Sequence, residues 1–282
     1  MTRSSTQIAE DRMRAITSAL AIFFILTSSF HFFRMLLPDV LGPQSHFVQT
    51  HLVHSPPLSS IRLPGGQLHI DESYPKRPVL IYGLHLLPGF LWLALAPFQF
   101  NYRLRNKQRA LHRASGYVFF SLSALLALSG FTMIAVRFSY SHPDRWTLLF
   151  GLLPTFDVAL TILGVLFAFP LVLALRGALK RNFDLHRLWV IVHVGVGLTI
   201  PYQRVFMYTQ FSLSNILSRW APDLFERVVG LPSEWARQHR TAIGERELAA
   251  FAITGYLGML AASATTAFVL HPIMTSKRAK SV

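Results

Sequence analysis

Apolar residues run through this chain in blocks of 20 or more, and the polar residues inside those blocks recur at helical spacing. Six blocks are legible: 15–37, 79–100, 114–136, 153–175, 188–207 and 248–270. At 1.5 Å per residue each can cross about 30 Å of hydrocarbon. A spanning segment must satisfy its own backbone hydrogen bonds, so each block is expected to be helical. The pattern predicts an all-α polytopic membrane bundle of six transmembrane helices. Residues 1–282 form a single integral membrane domain in this reading, with outer loops at 38–78 and 209–247.

The polar positions inside the blocks carry the functional signal. In the fifth block His186, His193, Gly197 and Arg204 are spaced by seven, four and seven residues. At 100° per residue they fall within about 20° of one line. Ionisable side chains are costly in lipid, so this row should face protein. The second block puts Tyr82, His85, Gly89, Trp92 and Gln99 on one face, and the third His112, Ser115, Gly116, Phe119 and Ser123. The fourth contributes Asp157, Thr161 and Gly164, the first His31 and Arg34.

Leu111-His112-Arg113 and Leu185-His186-Arg187 each follow a basic loop and open a helix running the same way. His112 and His186 should therefore sit at one depth, near the inner boundary. His31, Arg34, Tyr82, His85, Asp157, Gln203 and Arg204 belong to an outer group, and His193 lies about two turns deeper than His186. An acid and an arginine at similar depth should pair, because either alone in hydrocarbon costs several kcal/mol. Asp157 with Arg204 is the expected pair.

Charge refines the topology. The net charge of +14 would suggest nucleic acid in a soluble protein, but only 14% of residues are charged. The basic residues crowd the start of the chain, the segments 103–113 and 176–187, and the tail. These lie on one side of a six-helix arrangement. The positive-inside rule makes that side cytoplasmic, with both termini inside and a membrane of plasma or inner type. Nucleic acid is not an expected partner; the lipid bilayer is. The first block leaves through Phe30-His31-Phe32-Phe33-Arg34 with no small-residue cleavage pattern, so it reads as an uncleaved anchor. The proline-rich loop 38–78 should be irregular, with His46, His51, His54 and His69 as solvated loop histidines. In the loop 209–247, residues 211–220 and 224–229 have helical apolar spacing. They predict short interfacial helices, with Asp223 as an N-cap and Trp220 and Trp235 at headgroup level. The absence of cysteine excludes disulfides, thiolate metal sites and iron–sulfur clusters.

Two imidazoles at one depth on different helices can be the axial ligands of a haem b standing between them. His112 and His186 form such an inner candidate. His85 with His31, or with His193, forms an outer one, and Gly116 and Gly197 would leave room for the macrocycle. The cofactor candidates are thus His112, His186, His85 and His193, with Tyr82, Gln99, Asp157 and Arg204 as a polar cluster. A quinone held by histidine and arginine is the related possibility. Three other classes compete. A proton relay or small-solute transporter would use His85, His193, Asp157 and Arg204 as a polar path. Intramembrane zinc hydrolysis ranks last, because the ligands lie too far apart in depth. A non-catalytic scaffold would use the polar rows only to join helices. No Gly-x-Ser-x-Gly, Walker or dinucleotide glycine motif is present.

The elements Gly-x-His85, Pro97-Phe98-Gln99-Phe100, His112-Arg113-x-x-Gly116-Tyr117 and His186-Arg187-x-Trp189, followed by Arg204, resemble an uncharacterised family of predicted bacterial and fungal membrane proteins. The family is a domain of unknown function with a loosely cytochrome b561-like layout. The resemblance covers His85 to Arg204 and implies roles for His85, Gln99, His112, Gly116, His186, Trp189 and Arg204. Two departures matter. Near position 192 the family pattern often has an arginine, where this chain has Val192 and then His193. The fourth block has Asp157 and no histidine, which argues against two bis-histidine haems of the b561 design.

Overall fold

The computed structural model describes residues 4–41, 79–136, 156–229 and 240–278, all but a few of them helical and none in a strand. The helices are α1 (Ser5–Leu41), α2 (Leu87–Gln99), α3 (Tyr102–Lys107), α4 (Arg109–Ala135), α5 (Phe156–Leu179), α6 (Phe183–Gly197), α7 (Thr199–Trp220), α8 (Pro222–Val229) and α9 (Arg240–Arg278). Residues 42–78, with the four loop histidines, and the stretch around Trp235 lie outside the described residues. Among the described residues four segments are long and apolar enough to cross a membrane: Arg109–Ala135, Val158–Leu179, Phe183–Met207 and Ile253–Ser276. Gly83–Gln99 is a shorter apolar helix. The expected block 15–37 lies within α1, whose side chains are described only as far as residue 26.

Prolines modify two of the expected helices. The second block starts as a π-helix over Val79–Leu86 before α2 takes over. Pro88 lacks the N–H that would bond the Leu84 carbonyl, so the regular ladder cannot run through this point. The fifth block is likewise interrupted, between α6 and α7 at Leu198. Pro201 cannot donate to the Gly197 carbonyl. The row from His186 to Arg204 is therefore not one uninterrupted ladder, as a uniform 100° step would have it.

The helices form a ring in chain order. α1 packs on α2, α2 on α4, α4 on α5, α5 on α6, and α9 on both α6 and α7 before returning to α1. The antiparallel closure of α1 on α9 is fixed by side chains. The Ser5 and Ser276 hydroxyls lie 3.0 Å apart. Arg12 donates to the Phe268 carbonyl at 2.8 Å, with its guanidinium 4.2 Å above that ring. The first helix therefore begins on the face where the last one ends.

Polarity is distributed as lipid demands. Val158, Ile162, Val165, Phe169 and Val172 are spaced four, three, four and three along α5 and are all exposed. In water that stripe would be the core seam. Here the interior instead holds Thr17, Ser123, Ser129, His193, Gln203 and Thr254 among Trp92, Phe119, Ile191 and Leu198. Lipid gives helices little hydrophobic reason to associate, so packing and interhelical hydrogen bonds do the joining.

The turn between α5 and α6 is closely specified. Asn182 N–H bonds the Gly177 carbonyl at 2.9 Å and Arg181 N–H the Ala178 carbonyl at 3.0 Å, the paired bonds of a Schellman cap. Arg181 occupies the left-handed position with φ 55°. Asn182 then caps α6, its side chain accepting from Leu185 N at 3.1 Å. Gly177 permits the close approach, since a Cβ there would stand 2.8 Å from His186 N. A left-handed conformation costs a non-glycine residue about 1–2 kcal/mol. Arg181→Gly should accordingly stabilise the protein by about 1 kcal/mol in neutral detergent. Thermal unfolding reads this as a higher midpoint, and a lowered midpoint would contradict the turn.

Candidate functional site

α2 and α4 run antiparallel, and three serines of α4 each receive a polar side chain from the facing element. Gln99 Nε2 donates to Ser115 Oγ at 3.2 Å, Trp92 Nε1 to Ser123 Oγ at 2.8 Å, and His85 Nδ1 lies 3.0 Å from Ser129 Oγ. These contacts mark three levels along the bundle.

At the first level, the face where α1 begins, Glu10 is only 4% exposed. Arg105 Nη1 and Nη2 donate to its two carboxylate oxygens at 2.6 and 3.0 Å. Arg187 Nε lies 3.9 Å from the same group. A carboxylate withdrawn from water needs such a fork of donors. His112 stands within electrostatic range of Arg105, His186, Glu10 and Arg187. Among the described residues its buried Nδ1 has no hydrogen-bond partner. His186 Nδ1 lies 2.9 Å from the Ala174 carbonyl oxygen. That oxygen can only accept, so Nδ1 carries the proton and the neutral ring keeps its lone pair on Nε2. The Phe120 ring stacks against His186 with centroids 6.1 Å apart. The structure thus brings His112 and His186 to one level. It places Gln99 at that level too, since Gln99 donates to Ser115, which donates in turn to the His112 carbonyl at 3.0 Å.

The second level centres on His193, 1% exposed. Its Nδ1 lies 2.9 Å from the Phe167 carbonyl and its Nε2 2.9 Å from Ser123 Oγ. The carbonyl fixes the proton on Nδ1, so Nε2 of the neutral ring is an acceptor, and the single Ser123 hydroxyl proton is shared between it and the Phe119 carbonyl, each 2.9 Å away. Ser123 Oγ in turn accepts Trp92 Nε1–H. Ser123 thus joins the indole to the imidazole, and the imidazole joins the α5 carbonyl. Both nitrogens of His193 are used. Trp92 stacks on Phe119 at 5.2 Å, and Phe167 and His193 lie at centroid distances of 6.0 and 6.1 Å from it. Gly197 faces this cluster, and a Cβ there would come within 2.6 Å of the indole. The room that glycine was expected to leave for a macrocycle is filled by Trp92.

At the third level Ser129 donates to the Leu126 carbonyl at 3.1 Å, so its oxygen accepts from His85. Arg204 is within electrostatic range of His85, and its Nη1 lies 3.7 Å from Met207 Sδ. The side chains of His31, Arg34, Tyr82 and Asp157 lie outside the described residues, and the expected Asp157–Arg204 pair with them. His85 and His193 are engaged at different levels and are not brought together. Among the described residues no group of three His, Asp or Glu side chains could hold a metal ion.

Sequence reading missed Glu10 and Ser129. Glu10 was detectable: it shares the buried face of α1 with Met13 and Thr17, at spacings of three and four. A carboxylate on that face, in a chain with 13 acids and 27 bases, marks a buried ion pair.

Apolar helices that turn an aliphatic surface outward and gather histidine, serine and an ion pair inside define a membrane-embedded helix bundle. Residues 82–221, about half of the chain, match the family described as "Predicted membrane protein (DUF2306)". The chain belongs to this family of predicted membrane proteins of unknown function. Comparison with curated proteins and with solved structures gives no match.

Ser123→Ala would strand both Trp92 Nε1–H and His193 Nε2. It is expected to cost about 2 kcal/mol or more in chemical unfolding, while Thr132→Ala, whose hydroxyl bonds only its own helix, stays within about 0.5 kcal/mol. Glu10→Gln leaves Arg105 facing a neutral amide, and a loss of about 3 kcal/mol is expected by the same measurement. Equal stability of Glu10→Gln and wild type would mean that the pair is solvated.

Proposed function

We propose that this protein is a membrane electron-transfer protein that holds a haem b between His112 and His186. The observation that carries the reading is the state of the two imidazoles: His186 has its Nδ1–H committed to the Ala174 carbonyl, and His112 has a buried nitrogen that no group among the described residues satisfies. A backbone carbonyl behind an imidazole fixes its tautomer and orientation and leaves Nε2 as a ligand. That lone pair suits iron. A quinone carbonyl is itself an acceptor and would not satisfy it, so haem fits His186 better, and a quinone is the natural redox partner.

When bound, the haem would supply one-electron exchange. The chain does the rest. Ala174 orients His186, Phe120 covers its ring, and Ser115 with Gln99 supports the His112 backbone. Arg105 and Arg187 give the site a cationic surround suited to haem carboxylates, and Glu10 limits its excess charge. His193 stands apart as a structural residue in this reading, with His85 and Arg204 an outer polar group. Trp92 and Phe119, 3% and 0% exposed, fill the middle of the polar row, which weighs against a hydrated transport path.

The same reading includes six spans in one integral membrane domain, both termini cytoplasmic, in a plasma or inner membrane. It is supported by the contacts that gather Ser5, Ser276, Glu10, Arg105 and Arg187 on one basic face. Protein expressed with haem supplied and purified in detergent should show a Soret band. His112→Ala and His186→Ala should abolish it, and His193→Ala should keep it in whatever protein folds. A haem-supplied wild type without Soret absorption would overturn the assignment, as would full absorption in either ligand variant.

A further inference from the structure

Glu10 draws Arg105 and Arg187 inward, one from each of the two basic segments, and so ties those segments into a single face. The remaining basic side chains of that face point away from the bundle. Arg109 and Arg113 on the first turns of α4, Arg176 at the end of α5, and Lys180 and Arg181 in the turn are all exposed. Among the described residues none of the five pairs with a carboxylate; the ion pairs there belong to Arg14, Arg105 and Arg187.

Two further features distinguish this face from a merely solvated one. Directly beside the charges in sequence stand large exposed apolar side chains: Leu111 at 54%, Tyr117 at 73%, Leu179 at 77% and Phe183 at 57%. A band of cations over a band of apolar surface matches a phospholipid, whose charged headgroup and acyl chains have the same order. The second feature is Arg181 itself. It holds a left-handed φ of 55° inside a fully formed cap, where glycine would be the less costly residue. Retained backbone strain points to a use for the side chain.

We propose that the face formed by the start of α4 and the α5–α6 turn is a binding site for the headgroup of an anionic phospholipid, with Arg113, Lys180 and Arg181 contacting the phosphate and the apolar band lying along the acyl chains. The site is independent of any haem. The backbone segments that carry these charges are held by the Glu10 bridge and the capped turn, so little backbone ordering is needed when the lipid arrives.

The test uses full-length protein in neutral-detergent micelles, doped separately with phosphatidylglycerol, phosphatidylcholine or inorganic phosphate. Thermal midpoint and lipid retained in native mass spectrometry are the readouts. Phosphatidylglycerol should raise the midpoint and remain bound, and about 0.5 M salt should weaken both effects. Arg181→Gly should move the two readouts in opposite directions: a higher midpoint without lipid, and affinity for phosphatidylglycerol roughly fivefold weaker. Arg113→Gln should weaken affinity by a similar factor. Equal effects from phosphatidylcholine or from inorganic phosphate would overturn the proposal, as would unchanged lipid affinity in both variants.

Discussion

The hydroxyl of Ser123 accepts an indole N–H from α2 and bonds an imidazole from α6, and that imidazole reaches a carbonyl of α5. Four helices meet in one chain of hydrogen bonds in the middle of the bundle. The surrounding arrangement follows from the absence of water at that depth. A polar group in hydrocarbon has to find its partner inside the protein, so each donor on one helix dictates an acceptor on another. Trp92 then sets the local shape, because its indole needs both the serine and the space left by Gly197.

The two histidines of α6 serve the helix pair in the same manner and differ in what remains. His186 and His193 are seven residues apart, as are Ala174 and Phe167, so two Nδ1–H groups meet two carbonyls of the antiparallel neighbour in one register. Pro170 lies between those carbonyls and withholds one N–H from the otherwise continuous helix α5. His193 spends its second nitrogen on Ser123, while His186 keeps a lone pair beside His112. One geometry thus yields a structural post and a candidate ligand, and the difference lies in which residue of α4 stands opposite.

The basic face divides similarly. Glu10 takes up the guanidinium groups of Arg105 and Arg187 close to His112 and His186, while Arg109, Arg113, Arg176, Lys180 and Arg181 stay exposed. The cap that holds Arg181 lies among those exposed charges.

Helical class, membrane-length segments and the common depth of His112 and His186 were legible in the sequence, because each depends on period and length alone. The shared face of His85, Gly89, Trp92 and Gln99 was legible for the same reason, and survives the π-helical start of its segment. Periodicity could not show the interruption at Leu198, which a missing N–H at Pro201 causes, nor Glu10, whose partners lie 95 and 177 residues away. It also could not distinguish His186 from His193. By itself the sequence determined which residues share a helix face and a depth, since these follow from the rise and turn of a helix. Only the tertiary structure decided which nitrogen, hydroxyl or carbonyl each one meets, since that depends on how neighbouring helices register against one another.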